Sequence, residues 1–67
     1  MTRKDYILIA AHLLAAKADA LRTEDSRAAT DMCDGIDLGA EHLADALARD
    51  NPRFDRARFL TACGVES

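Results

Sequence analysis

The sequence predicts an all-α protein of three helices, organised as one domain over residues 1–67. Fourteen alanines, a single proline and few β-branched residues favour helix over strand. Apolar residues recur in steps of three and four, the period of one helix face, through most of the chain. A chain of 67 residues buries only about 60% of its unfolded surface, so a single copy is expected to be marginally stable.

The first helix is predicted from about residue 3 to residue 21. Thr2 followed by Asp5 resembles a capping box in which aspartate replaces the usual glutamate. Two apolar stripes lie side by side along this helix, and together they are wider than one neighbouring helix needs. They contain Tyr6, Ile9, Leu13 and Ala16 or Ala20, and Ile7, Ala10 or Ala11, Leu14, Ala18 and Leu21. This breadth indicates packing against one partner in the same chain and another in a second chain.

The second helix is predicted from about residue 24 to residue 50, with Thr23 as its N-cap. It ends before Pro52, because a proline pushes the preceding residue out of helical geometry. Its apolar positions keep one phase across two glycines, which favours one unbroken helix; a break at Gly35 or Gly39 remains the alternative. The apolar positions are Ala29, Met32, Ile36, Gly39 or Ala40, Leu43, and Ala46 or Leu47.

The length of this central helix bears on assembly. About 26 residues make a helix of about 40 Å, whereas a 67-residue globule is less than about 30 Å across. The ends of the helix would therefore overhang the domain and need cover. A second copy supplies that cover most simply, so the sequence predicts a helical homodimer.

The third helix is short, from about residue 55 to residue 63, and follows a turn at Asn51 and Pro52. Phe54, Phe59, Leu60 and Cys63 are expected to fold this helix back over the first two. Gly64 suits the left-handed position just past a helix end.

Cys33 and Cys63 form no CxxC motif and lie beside no dense ligand cluster, so we expect reduced thiols. No apolar run approaches the 18 residues or so of a membrane-spanning helix. The longest apolar run, residues 6–11, is not followed by a suitable cleavage site and is not expected to be a signal peptide. The sequence therefore predicts a protein of the cytosol, with no membrane association.

An acidic face is predicted on the second helix, formed by Asp34, Asp37, Glu41 and Asp45 in steps of three and four. It is either an ordinary solvated face or a docking surface for a basic partner. His42 beside Glu41 and Asp45 supplies too few ligands for a metal. No metal or other cofactor is predicted.

A candidate basic patch is formed by Arg53, Arg56 and Arg58. These arginines either pair with the acidic second helix or bind phosphate or an acidic partner surface. The net charge of −3 makes nucleic-acid binding the less expected alternative, because nucleic-acid binders usually carry a basic excess.

Each end of the sequence contains a distinctive run of residues. The opening piece is residues 2–6, Thr-Arg-Lys-Asp-Tyr, with Ile9 and Ala10 after it. The closing piece is residues 51–60, Asn-Pro-Arg-Phe-Asp-Arg-Ala-Arg-Phe-Leu, with residues 62–64 after it. Together the two pieces cover about a third of the chain, and they resemble the two ends of short proteins encoded by tailed bacteriophages and prophages. The resemblance implies a phage accessory protein acting in the bacterial host cytosol, and it assigns no catalytic residue.

These observations favour a protein-interaction module that binds and modulates a host protein. A small dimeric regulator that holds nucleic acid with its C-terminal arginines is one alternative, and a structural virion component is another. An enzyme is not predicted, because no nucleophile–base pair, glycine-rich phosphate loop or metal-ligand cluster is visible in the sequence.

Overall fold

The computed structural model describes residues 2–65, which form three α-helices. These are α1 (Arg3–Ala20), α2 (Ser26–Asp50) and α3 (Arg56–Ala62). No strand occurs within that range. The predicted all-α, three-helix fold is therefore confirmed, and every helix boundary lies within two residues of its predicted position.

The predicted link between Thr2 and Asp5 is present at the start of α1. The Asp5 carboxylate accepts the Thr2 backbone N–H at 2.9 Å and the Thr2 hydroxyl at 3.2 Å. These two bonds, the backbone bond first, hold the pKa of Asp5 below its usual value. The first turn of α1 is thereby fixed by local hydrogen bonds.

The central helix α2 continues through Gly35 and Gly39 for 25 residues, so the prediction of one unbroken helix is confirmed. The prediction that Thr23 caps it is wrong. Asp25 is the N-cap, because its Oδ1 accepts the backbone N–H groups of Arg27 at 3.0 Å and Ala28 at 3.2 Å. The helix ends at Asp50, before Pro52, as predicted.

Helices α1 and α2 lie antiparallel. The Asn51 side chain, just past the end of α2, donates to the Tyr6 hydroxyl at 3.3 Å. Lys17, a further three turns along α1, pairs with Asp37 at 2.8 Å. The short connection between the two helices predicts this arrangement.

The hydrophobic core lies where α3 crosses the antiparallel pair. It contains Ala10, Ala40, Ala44, Leu47, Phe59, Leu60, Cys63 and Val65. Three of these are fully buried alanines, whose small side chains let the helices approach closely. Burial raises the pKa of the Cys63 thiol, with a smaller contribution from nearby Asp37.

The end of α3 is closed by Gly64, which has the left-handed φ of 81°. The Gly64 N–H donates to the Thr61 carbonyl at 3.0 Å, and the Val65 N–H donates to the Leu60 carbonyl at 2.9 Å. This pair of bonds is the Schellman motif, and the burial of Leu60 and Val65 supplies its usual apolar contact. The expectation for Gly64 is confirmed.

The molecule is elongated, with principal extents of 40 × 18 × 15 Å. Its Cα radius of gyration is 12.4 Å, whereas a compact chain of this length is expected to have about 11 Å. The unbroken α2, about 38 Å long at 1.5 Å per residue, accounts for the long dimension.

Candidate interaction surfaces

A groove of about 440 Å³ lies between the first half of α1 and α3. It is lined by Arg3, Tyr6, Ile7, Ala10, Asn51, Arg53, Phe54, Asp55, Arg58, Phe59 and Ala62. The volume is in the range of sites that bind small molecules or single side chains of a partner protein. None of the lining residues is a serine, cysteine or histidine.

The apolar part of the groove rests on an aromatic cluster. The rings of Tyr6 and Phe54 meet edge to face at 4.8 Å, and Phe54 meets Phe59 at 5.3 Å. Phe59 is buried, Phe54 is half-buried, and Ile7 is 59% exposed at the side of the groove. A ligand that filled the groove would therefore cover apolar surface that water now contacts.

Three arginines line the polar part of the groove: Arg3 from α1, Arg53 from the turn after α2, and Arg58 from α3. None of their guanidinium groups pairs with a carboxylate of residues 2–65. The lining contains one carboxylate, Asp55, whose Oδ1 caps α3 by accepting the Arg58 backbone N–H at 3.0 Å. The groove thus has an excess of two positive charges and free guanidinium donors.

Asn51 and Tyr6 complete the polar lining. The Asn51 Oδ1 accepts the Arg53 backbone N–H at 3.1 Å, and its amide nitrogen donates to the Tyr6 hydroxyl. The hydroxyl proton of Tyr6 has no acceptor within residues 2–65. It is a further donor for an anionic group in the groove.

The candidate basic patch of Arg53, Arg56 and Arg58 is divided in the structure. Arg53 and Arg58 share the groove, whereas the Arg56 Nε donates to Asp45 Oδ1 at 2.7 Å. That bond holds the pKa of Asp45 below its usual value. Arg56 therefore makes the pairing with the acidic helix that the sequence offered as one interpretation of the patch.

The acidic face is likewise only partly available to a partner. Asp45 is paired with Arg56, and Asp37 is paired with Lys17. Asp34 and Glu41 are exposed and pair with no base of residues 2–65. Between them lies Leu38, four residues after Asp34 and three before Glu41, with 57% of its surface exposed.

Lys17 joins all three helices, a role that the sequence analysis missed. Its ammonium lies 2.8 Å from Asp37 Oδ1 of α2 and donates to the Gly64 carbonyl, just past α3, at 2.6 Å. The contact with Asp37 is electrostatic rather than an aligned hydrogen bond, because Asp37 Oδ1 has no aligned donor in the described chain. The sequence feature that could have indicated this role is a single lysine among the apolar stripes of α1.

Arg3 and Ile7 were not predicted from the sequence to line a groove. They are four residues apart and therefore share a face of α1. Spacing alone does not say which face α3 covers, so the groove follows only from the tertiary packing.

Across residues 2–65, no group of three or more histidine, cysteine, aspartate or glutamate side chains could hold a metal ion. None of the described helices is both long enough and apolar enough to cross a membrane. Comparison with protein-family models, with curated proteins and with solved structures returns no match to this chain. The class that the structure defines is a small all-α protein of three helices with an arginine-lined, partly apolar groove.

Proposed function

We propose that this chain is a protein-interaction module whose groove binds a partner segment in which an apolar side chain lies beside carboxylates. The observation that carries the proposal is the combination in the groove of exposed Ile7 with the guanidinium groups of Arg3, Arg53 and Arg58. The apolar side chain would contact Ile7 and the aromatic cluster. The carboxylates would accept charge-assisted hydrogen bonds from the arginines.

The resemblance of both ends to phage proteins supports a partner in the host cytosol. In this proposal the chain is a phage accessory protein that binds a bacterial protein and modulates it. A binding role is supported by the exposed apolar side chain and the three arginines of the groove lining.

The test uses a defined probe, a capped peptide in which one phenylalanine is flanked by aspartates on both sides. Binding is followed by amide chemical shifts of the isotope-labelled protein during titration. Shifts concentrated at Ile7, Ala10, Arg58 and Ala62 are expected. A peptide with asparagine in place of aspartate should bind more weakly, because it cannot form ion pairs with the arginines.

Charge reversal provides the matched pair of variants. Arg58→Glu should weaken peptide binding at least about tenfold, because one charge-assisted hydrogen bond contributes about 1.5 kcal/mol or more. Arg22→Glu is the control, since Arg22 is an exposed arginine that pairs with Asp19 at the other end of α1. No shifts in the groove at millimolar peptide, or equal binding by both variants, would contradict the proposal.

The acidic face is the second candidate docking surface, favoured by the exposed Leu38 between Asp34 and Glu41. Its variant reverses Asp34 and Glu41 to lysine and leaves Asp37 and Asp45 in their intramolecular pairs. For a partner captured from nuclease-treated bacterial lysate, loss of capture by this variant alone assigns binding to the acidic face. Loss of capture by Arg58→Glu alone assigns it to the groove.

A nucleic-acid-associated regulator is the remaining candidate, favoured by the common location of Arg53 and Arg58. The probe is a short single-stranded oligonucleotide. Binding that falls steeply with added salt would support phosphate contacts. Tighter binding of the oligonucleotide than of the acidic peptide would favour this regulator over the protein-interaction module.

A further inference from the structure

The chain exposes more surface than a compact monomer of its mass. A 7.3 kDa protein is expected to expose about 4,160 Å², whereas this chain exposes 4957 Å². The excess of about 800 Å² equals the area that each partner contributes to an interface of standard size. The elongated shape has the same origin, because the long α1–α2 pair is covered on one side by the short α3.

The uncovered side of the α1–α2 pair can be located from the contacts of α3. On α2, Asp45 pairs with Arg56 of α3. At about 100° per residue, Met32, Gly39 and Leu43 lie about 120–160° around the helix from Asp45. They are therefore on the flank of α2 that faces away from α3.

The uncovered side of α1 can be located in the same way. A Cβ atom at Gly64, just past α3, would lie 2.8 Å from Leu14 Cδ1, so Leu14 is on the α3 side. Ile9 and Ala16 lie about 140–160° around α1 from Leu14. The two flanks together form a surface that we call the open face. Its residues are Ile9, Leu13, Ala16, Met32, Ile36, Gly39 and Leu43, of which Leu13 lies about 100° from Leu14 and Ile36 about 180° from Asp45. Ile9, Leu13 and Leu43 also pack against the core, so each contributes only its outer part to the open face.

The seven residues of the open face are uncharged, and the charged residue at the same angle around α2 as Met32 is Asp50, in the last turn of the helix. Met32 is 45% exposed, and Ile9, Ile36 and Leu43 are half-buried. A Cβ atom at Gly39 would meet nothing within 4 Å, so another helix has room to approach the α2 backbone there. A surface that is apolar along most of its length and open over a glycine can pack against an identical copy of itself.

We propose that a second copy of this chain covers the open face, forming a two-fold symmetric dimer with α2 packed against α2 of the partner. A second copy is the occupant because the excess surface of each chain matches what one partner contributes to a stable interface. The α1–α3 groove lies on the other side of the α1–α2 pair. The dimer therefore presents two grooves outward, and a partner with two acidic segments can engage both.

The test is the mass in solution, measured by sedimentation equilibrium from micromolar to millimolar concentration. The wild-type chain is expected to have twice its mass of 7.3 kDa. Met32→Glu should raise the dimer dissociation constant at least about a hundredfold, because it buries an unpaired carboxylate in an apolar interface. Leu38→Glu is the matched control, since Leu38 is an exposed apolar residue of α2 outside the open face. It should remain dimeric.

Gly39→Arg is a second variant, chosen because its side chain meets open space in the single chain and the interface in the dimer. It should retain its helical circular dichroism and become monomeric. A monomeric wild type, or a dimer of undiminished affinity in both open-face variants, would overturn the proposal. The peptide titration separates the two proposals, because Met32→Glu should still bind the acidic peptide and Arg58→Glu should still dimerise.

Discussion

Phe59 is a central contact between α3 and the other two helices. It is 4% exposed, contacts the ring of Phe54, and belongs to the cluster that holds α3 against the other two helices. Each helix contacts both of the others, so a cavity at this point would loosen all three. The sequence could identify Phe59 as a core residue, because both phenylalanines of the chain lie in its last third.

Replacing Phe59 by alanine should destabilise the fold by about 3–5 kcal/mol, the usual result of truncating a buried phenylalanine. In a 67-residue chain a loss of this size approaches the whole stability of the domain. Thermal and urea unfolding measure it. The control is Leu38→Ala on an exposed position, which should change stability by less than about 0.5 kcal/mol. A melt unchanged by Phe59→Ala would contradict the packing described above.

The stability of each helix depends on the backbone conformation and the surroundings of its glycines. Gly35 and Gly64 show the contrast. A Cβ atom at Gly35 would meet nothing within 4 Å inside α2. At Gly64 the φ of 81° disfavours any side chain, and a Cβ atom would in addition displace the end of the exposed Leu14 side chain. The same substitution is therefore expected to have opposite signs at the two positions.

Gly35→Ala should stabilise the protein by about 0.5–1 kcal/mol, because alanine has the higher helix propensity. Gly64→Ala should destabilise it by about 1 kcal/mol or more, because alanine is disfavoured in a left-handed backbone conformation. Urea unfolding of both variants at equal protein concentration gives the two values. A destabilised Gly35→Ala variant would contradict this prediction. It would indicate that a second chain packs over Gly35, which is not a residue of the open face.

Much of the element-level structure was predictable from local sequence. The steps of three and four specify the helices, Asn51 and Pro52 end α2, and Gly64 ends α3. The choice of cap at α2 was not predictable, because Thr23, Asp25 and Ser26 are all good N-cap residues. The preferences of single residues therefore do not decide among the three, and the structure shows that Asp25 is the cap.

At the scale of the whole molecule, sequence patterns fail wherever a side chain contacts a different helix. Periodicity puts the four acidic residues on one side of α2, yet spacing could not reveal that Asp37 and Asp45 are already paired. The arginine patch was divided for the same reason, since Arg53 and Arg58 share a groove that exists only once α3 packs beside α1. Periodicity fixes the faces of a helix but not the neighbours of each face.

Lys17 is the clearest case, because one side chain links the three helices. Its side chain is 16% exposed, while that of Asp37 is 31% exposed. The Gly64 carbonyl, 2.6 Å from the ammonium, belongs to the segment that closes α3. Burial of the lysine stem among apolar neighbours brings the charge to these acceptors. The position of α3 against the α1–α2 pair therefore depends on a polar contact as well as on the core.

Replacing Lys17 by methionine preserves most of the side-chain volume and removes the charge. The expected destabilisation is about 1–3 kcal/mol, since the Gly64 carbonyl loses a charged donor and Asp37 keeps an unpaired charge that water only partly solvates. Arg22→Met is the matched control, because the Arg22–Asp19 pair is exposed at 82% and 74%. It should change stability by less than about 0.5 kcal/mol.

The Asp37→Asn variant and the double variant complete a thermodynamic cycle that isolates the ion pair. If Lys17 acts through Asp37, the two single changes should be less than additive, and the remainder of the Lys17 effect reports its other contacts, of which the Gly64 carbonyl is one. If Lys17→Met were as stable as the wild type, apolar packing alone would be holding α3 in place. The α1–α3 groove would then rest on the core and not on this polar link.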